Sequence, residues 1–309
     1  MTNTAGMTCL LEHKACVEHT DSIAMVDFDD MLQGFGGAVG TVDESNWHQG
    51  WSKTTGQRLF RYAAPFTSSS EMLVSKVKTG KIVVIGSVDS AEVWEFDPTI
   101  DGYTEDSWTQ ISSDVTSDVG GHRRMAFGAD LDGWFYLGGG WNGTDVWKTQ
   151  DFSSWTLVGS LPTEIVRISA CASFVHGGVI HLIGGATRLA SPYGNDEYQA
   201  AERLGHHYTF DGSNYTLIET DAVKFGSIWC DAASDGTNIW FVGGYPSGSG
   251  RNKRYPYKSS DDGATWIQIT EINDGLKWFV EAHRRGALST EGAAFFVGGS
   301  YVNDVWMMS

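Results

Sequence analysis

An apolar, β-rich run ending in a glycine pair recurs along this chain, and that recurrence limits the fold more than any other feature. The clear copies are Trp134-Phe135-Tyr136-Leu137-Gly138-Gly139, Val179-Ile180-His181-Leu182-Ile183-Gly184-Gly185, Ile239-Trp240-Phe241-Val242-Gly243-Gly244 and Ala294-Phe295-Phe296-Val297-Gly298-Gly299. Ile82-Val83-Val84-Ile85-Gly86-Ser87 is a fifth, and Met31-Leu32-Gln33-Gly34-Phe35-Gly36-Gly37 a weaker sixth. The first glycines stand at 36, 86, 138, 184, 243 and 298, so the steps are 50, 52, 46, 59 and 55 residues. A period near fifty is that of four short strands with their turns, one blade of a propeller. Turn pairs precede the runs: Asp29-Asp30, Thr79-Gly80, Asp132-Gly133, Gly177-Gly178, Asp235-Gly236 and Glu291-Gly292. Such residues suit the left-handed backbone of tight hairpins.

A third strand is expected at Glu92-Val93-Trp94, Asp145-Val146-Trp147 and Asp304-Val305-Trp306. A fourth begins with an aromatic, at Trp108, Trp155, Tyr215 and Trp266. These large rings are expected to wedge between neighbouring sheets. Only three residues follow Trp306, so the last unit is expected to take its fourth strand from elsewhere. Met7-Thr8-Cys9-Leu10 has the fourth-strand pattern and is expected to complete it, which would hide the open strand edges. The expected fold is therefore all-β: a six-bladed propeller of four-stranded antiparallel blades. Residues 1–19 form the closing strand and 20–309 the propeller, with blades near 20–65, 70–115, 122–160, 168–219, 226–271 and 281–309. Five blades with an N-terminal arm is the alternative.

The Gly-Gly pairs and later aromatics resemble kelch repeats over roughly residues 20–309. A second motif, Ser259-x-Asp261-x-Gly263-x-Thr265-Trp266, resembles the Asp-box of sialidase-like propellers. That resemblance implies a structural hairpin between strands three and four, away from any active site, in which the Asp and hydroxyl side chains satisfy turn amides. Thr149-x-Asp151 before Trp155, and Asp211-Gly212 before Tyr215, resemble degraded copies.

Charge and composition narrow the function. The formal net charge is −17, so a phosphate backbone is a poor partner. No apolar run approaches the ~20 residues of a membrane helix, and the first residues lack a secretory signal pattern. A virion or the cytoplasm is the expected setting. The four cysteines, Cys9, Cys16, Cys171 and Cys230, include no C-x-x-C pair. Cys171 and Cys230 are expected to be small buried residues rather than a disulfide. The nine histidines, His206-His207 and His122 among them, suggest no metal ligand set. No cofactor motif appears, and no cofactor is expected.

Candidate ligand-binding residues lie in the connections expected at one end of the ring: His122, Arg123, Arg124, Arg167, Arg188, His283, Arg284 and Arg285. Arginines around a channel mouth can clasp a carboxylate or sulfate, and the competing reading is that they brace neighbouring blades. Leu73, Cys171, Cys230 and Ile23 hold the place of Arg285 in other blades, which favours packing there. Three long connections, 38–50, 186–205 and 245–254, carry Trp47, Tyr193, Tyr198, Arg251 and Arg254, and these, with Trp51 directly after the first, form a candidate loop interface. Phe60-Arg61-Tyr62 is a poor substitute for the Arg-Ile-Pro signature of sialidases, and no catalytic residue is assigned. The expected function is a non-catalytic scaffold that binds other protein chains, surface glycan or both. It would belong to a larger assembly such as a virus or bacteriophage particle, as a decoration, fibre or tail protein. The alternative is a glycan-acting enzyme, sialidase-like or oxidase-like, with its site at the channel mouth.

Overall fold

The structure, a computed structural model, describes residues 14–19, 22–27, 38–43, 72–75, 77–78, 81–86, 91–97, 108–123, 125–140, 143–188, 202–220, 227–246, 256–269, 286–289, 294–299 and 302–308. Apolar runs between turn residues form strands, and strands adjacent in sequence pair antiparallel. Sheet one joins β1 (Lys14–His19), β2 (Ser22–Asp27) and β3 (Ala38–Asp43). Sheet two joins β4 (Met72–Ser75), β5 (Ile82–Gly86), β6 (Val93–Phe96) and β7 (Trp108–Ser112). Sheet three joins β8 (Phe127–Leu131), β9 (Trp134–Gly138), β10 (Asp145–Thr149) and β11 (Thr156–Ser160). Sheet four holds β12 (Ala172–His176) and β13 (Val179–Ile183), and is interrupted by a ribbon of β14 (Ala186–Arg188) and β15 (Glu202–Arg203). It resumes with β16 (His206–Phe210) and β17 (Tyr215–Thr220). Sheet five joins β18 (Ser227–Ser234), β19 (Ile239–Pro246), β20 (Tyr257–Ser259) and β21 (Ile267–Gln268). Sheet six joins β22 (Gly286–Ser289), β23 (Ala294–Gly299) and β24 (Val302–Met308).

Local chemistry explains the hairpins. Asp132-Gly133 (φ 50° and 76°) and Gly177-Gly178 (φ 58° and 77°) put two left-handed residues in succession. That is the type I′ geometry whose twist suits a two-residue hairpin. Asp235-Gly236 belongs to a longer turn, because Ser234 pairs with Ile239. There the Asp235 carboxylate accepts the amides of Thr237 and Asn238, at 2.9 and 2.6 Å.

The core lies between sheets rather than within one layer. Leu73, Val83 and Val93 of sheet two pack with Phe135, Leu137 and Phe152 of sheet three. Phe127 and Tyr136 of sheet three pack with Cys171, Ile180 and Phe210 of sheet four. Phe174 and Ile183 of sheet four pack with Cys230, Ile239 and Phe241 of sheet five. The aromatics that open the fourth strands sit at these seams. Trp155 meets Phe135 edge-on at 6.3 Å, and Tyr215 stacks on Phe210 at 4.5 Å. The first strands lie side by side: β1 against β4, β4 against β8, β8 against β12, β12 against β18, β18 against β22, and β22 against β1. The fold is all-β and propeller-like. Among the described residues no helix is long and apolar enough to cross a membrane.

Sheet one departs from the expected register. His19 pairs with Ser22, and β1 begins at Lys14, inside the segment expected to be a closing strand. Its second strand is Ser22–Asp27, not the run before Gly36-Gly37, and residues 38–43 form β3 rather than a long loop. Alternation explains the shift. Ala15, Val17, Ile23 and Met25 supply apolar residues at period two, while the 31–37 run is rich in glycine, which weakens a strand. Ile23 therefore lies on a second strand, not a first. In sheet two Met72 pairs with Gly86, whereas in sheet five Cys230 pairs with Gly243, so Leu73 is one position out of step with Cys230. Met7–Leu10, the segment expected to close the last sheet, lies outside the described residues.

Candidate functional site

The connections leaving second strands and those entering first strands meet at one end of sheets three and four. The Gly140 amide donates to the Ile168 carbonyl at 2.7 Å. Ser169 and Ala186 exchange amide-to-carbonyl bonds at 2.9 Å. Gly139 is required there: its φ is 64°, and a Cβ would stand 2.3 Å from the Ile168 carbonyl oxygen.

Arg123 crosses this end as a brace. Its Nε donates to the Val119 carbonyl at 2.8 Å, and its Nη1 to the carbonyls of Asp145 and Gly139, at 3.1 and 3.3 Å. Its Nη2 bonds the Val119 carbonyl and the Asp145 carboxylate. All five N–H groups thus have protein acceptors, and the side chain is 5% exposed. Two of the acidic residues that open third-strand motifs have roles here. Asp145 holds Arg123, while Glu92 accepts the Trp94 indole N–H at 2.8 Å. Next to these residues, the third strands of sheets two, three and four share a register break, at Val93/Trp94, Val146/Trp147 and His207/Tyr208.

The other candidates at this end divide. His122 and Arg167 are exposed, and Arg167 has φ 62° in the turn before sheet four. Arg188 lies on β14, with Glu202 of β15 as its cross-strand partner. That ribbon carries the backbone away from sheet four before residues 189–201. Arg124, His283, Arg284, Arg285, Trp47, Trp51, Tyr193, Tyr198, Arg251 and Arg254 lie outside the described residues.

Side-chain hydrogen bonds hold the Asp turns between third and fourth strands. Ser259 Oγ accepts the Gly263 amide at 2.8 Å, and Asp261 accepts the Thr265 amide and hydroxyl at 2.8 and 2.5 Å. The Trp266 indole donates to the Gly263 carbonyl at 2.9 Å. Bonds from the Thr265 hydroxyl and amide, and from Ser259, hold the Asp261 carboxyl below its ordinary range. Asp151 accepts the amides of Ser153 and Ser154, and Asp211 those of Ser213 and Asn214. In all three turns the residue after the Asp is left-handed: Phe152 at 62°, Gly212 at 93° and Asp262 at 57°. This residue meets the preceding sheet. Phe152 fills the seam with sheet two, a Cβ on Gly212 would stand 2.9 Å from Tyr136 Oη, and Asp262 reaches His176.

That last contact opens a histidine cluster the sequence did not mark. His176 Nε2 is 2.9 Å from Asp262 Oδ1, and its Nδ1 is 2.6 Å from Ser234 Oγ. His181 Nδ1 and His207 Nε2 are 2.8 Å apart. The rings run in series, with centroids 5.7 Å apart from His176 to His181 and 5.0 Å from His181 to His207. Ser234, His176 and Asp262 have the connectivity of a hydrolytic triad with its burial reversed. Ser234 is 3% exposed and accepts the Gly236 amide, while the Asp262 side chain is 83% exposed. A nucleophile must meet substrate, so this arrangement does not support acyl transfer. The rings do not converge on one point either. Among the described residues no three His, Cys, Asp or Glu side chains could hold a metal ion. Cys171 and Cys230 are buried thiols outside any disulfide, and burial pushes the Cys171 thiol well above its ordinary range.

No family model matches the chain, and no curated protein sequence matches it. The solved structure of YjhT is similar over 96% of this chain and 93% of that one, with a TM-score of 0.65 and 12% identity. At that identity the likeness is one of fold.

Proposed function

We propose that the chain is a six-bladed, kelch-like propeller that serves as a non-catalytic scaffold, binding protein or glycan through loops at the end where Gly139, Arg123 and Ala186 lie. The observation that carries this reading is the β14–β15 ribbon. Its two short strands pair with each other as a separate two-stranded sheet on either side of residues 189–201. Those residues include Tyr193 and Tyr198, suited to stacking on a sugar face or a protein surface. Six blades are supported by the cycle of neighbouring first strands. Closure by Met7–Leu10 fits the strand order, because a fourth strand precedes the next sheet's first strand in sheets two to five. The four Cα steps from Leu10 to Lys14 reach about 14 Å. Crossing three strand spacings also takes about 14 Å, so the link would be taut but sufficient.

His122, Arg124, Arg167, Arg188, His283, Arg284 and Arg285 remain the proposed polar contacts. Arg123 leaves that set, since its donors are committed to Val119, Gly139 and Asp145. Membership of a virus particle has no support in the fold or the site, and the proposal stands without it. The test is to immobilise the full chain over an array of neutral and acidic glycans and, separately, to cross-link it in its native source. A chain lacking residues 189–201 is the control. Retention of a glycan or protein partner that is lost with the loop is expected. Turnover of a captured glycan would overturn the non-catalytic reading.

A further inference from the structure

We propose that the His176–His181–His207 cluster is an acid-sensitive latch between sheets four and five, closed when the His181–His207 pair is uncharged and opened when that pair takes up protons. The geometry sets the chemistry. Two ring nitrogens 2.8 Å apart share one proton, so one must accept while the other donates. If both rings are imidazolium, two N–H groups face each other and the bond is lost. The pair has no room to part. His181 is 1% exposed and His207 0%, and His181 stacks on Phe174 at 5.1 Å. A Cβ on Gly263 would stand 2.1 Å from His207 Cε1, so the ring lies directly on the Asp turn of sheet five. Trp266 of the same turn packs edge-on to His207 at 5.9 Å. Charging the pair therefore acts on the turn that joins the two sheets.

The surrounding groups offer uneven compensation. Asp262 bonds His176 at the exposed end of the series. Asp261 and Asp235 are engaged within their own turns. Glu219 of β17 is the cross-strand neighbour of His207, and Tyr257 of β20 packs at the apolar seam with Phe174. His206 precedes His207 on β16 and packs on Tyr208. Burial lowers both members of the pair, His207 to about 4 and His181 well below the usual imidazole value, where nearby His207 and His176 lower it further. The sign follows. An imidazole whose folded pKa is lowered binds fewer protons folded than unfolded. Its stability is fully present above about pH 6.5 and is lost as pH falls toward 4. Asp151, Asp211, Asp235 and Asp261 are all lowered, so their contribution is lost only below about pH 4.

The test is urea unfolding of the full chain from pH 7.5 to 4, with His207→Gln, His181→Gln and, as a control, His206→Gln. For His207 alone the folding constant is expected to fall about a hundredfold between pH 7 and pH 4. The first two variants should flatten that fall, and the third should leave most of it. Amide exchange on the unsubstituted chain localises the effect. Turn 260–265 and β18 should lose protection in the same pH window, while β9 and β10 keep theirs. An equal fall in all four proteins would overturn the latch, and so would uniform loss of protection. If the pair variants do not fold, imidazole NMR of the native chain decides. Two rings neutral to below pH 5 support the proposal, and ordinary titration near 6.5 sinks it.

Discussion

Arg123 and Phe152 both tie neighbouring parts of the fold together, one with hydrogen bonds and the other with shape. Arg123→Leu would take the guanidinium from the Asp145 carboxylate and from the Val119 and Gly139 carbonyls, at a cost of roughly 3 kcal/mol. Urea midpoints check this, and binding to a captured partner should survive. Phe152 is fully buried against Phe135 and Trp155, so Phe152→Ala should cost about 3–4 kcal/mol through the cavity it leaves. It holds a left-handed φ that a bulky residue rarely adopts, which its packing must offset. The sequence reveals these residues unevenly. Asp261 could be read because its partners lie within four positions of it. Arg123 could not, because Asp145 is 22 positions away and only the fold brings them together. The histidine cluster was hidden for the same reason, with contacts reaching from residue 176 to residue 262.

At the scale of elements, the ribbon β14–β15 separates function from stability. Removing residues 189–201 and joining the stem with a short turn should change stability by no more than about 1 kcal/mol, because loop-closure entropy varies slowly with length. The same change should abolish partner capture, so urea unfolding and a binding assay on one protein test both halves. The outer strands carry Leu157, Leu217 and Ile267 at 53%, 47% and 66% exposure. Replacing each with Thr should shift stability by less than about 0.5 kcal/mol. Strands two to four of most sheets were legible because turn pairs, Gly-Gly and a leading aromatic punctuate them. The ribbon was not, since strands of two and three residues carry no periodicity. Sheet one is not legible in this way: Gly36-Gly37 resembles the end of a second strand, while Ser22–Asp27 ends nine residues before Gly36.

For the whole molecule, the unit is the seam between sheets, and each described seam has its own chemistry. Those between sheets two and three and between three and four are apolar and aromatic; that between four and five adds the histidines. A ring of such seams is rigid only if it closes. The glycines at 86, 138, 184, 243 and 298 mark second strands, as their spacing suggests, whereas that at 36 does not. The most direct measurement is amide hydrogen exchange along β24 (Val302–Met308), in the full chain and in a chain lacking residues 1–10. In a closed ring the edge-facing amides of β24 are protected like those of β10, and the deletion exposes them. Fast exchange at that edge in the full chain, unchanged by the deletion, would contradict a propeller closed by its own N-terminus.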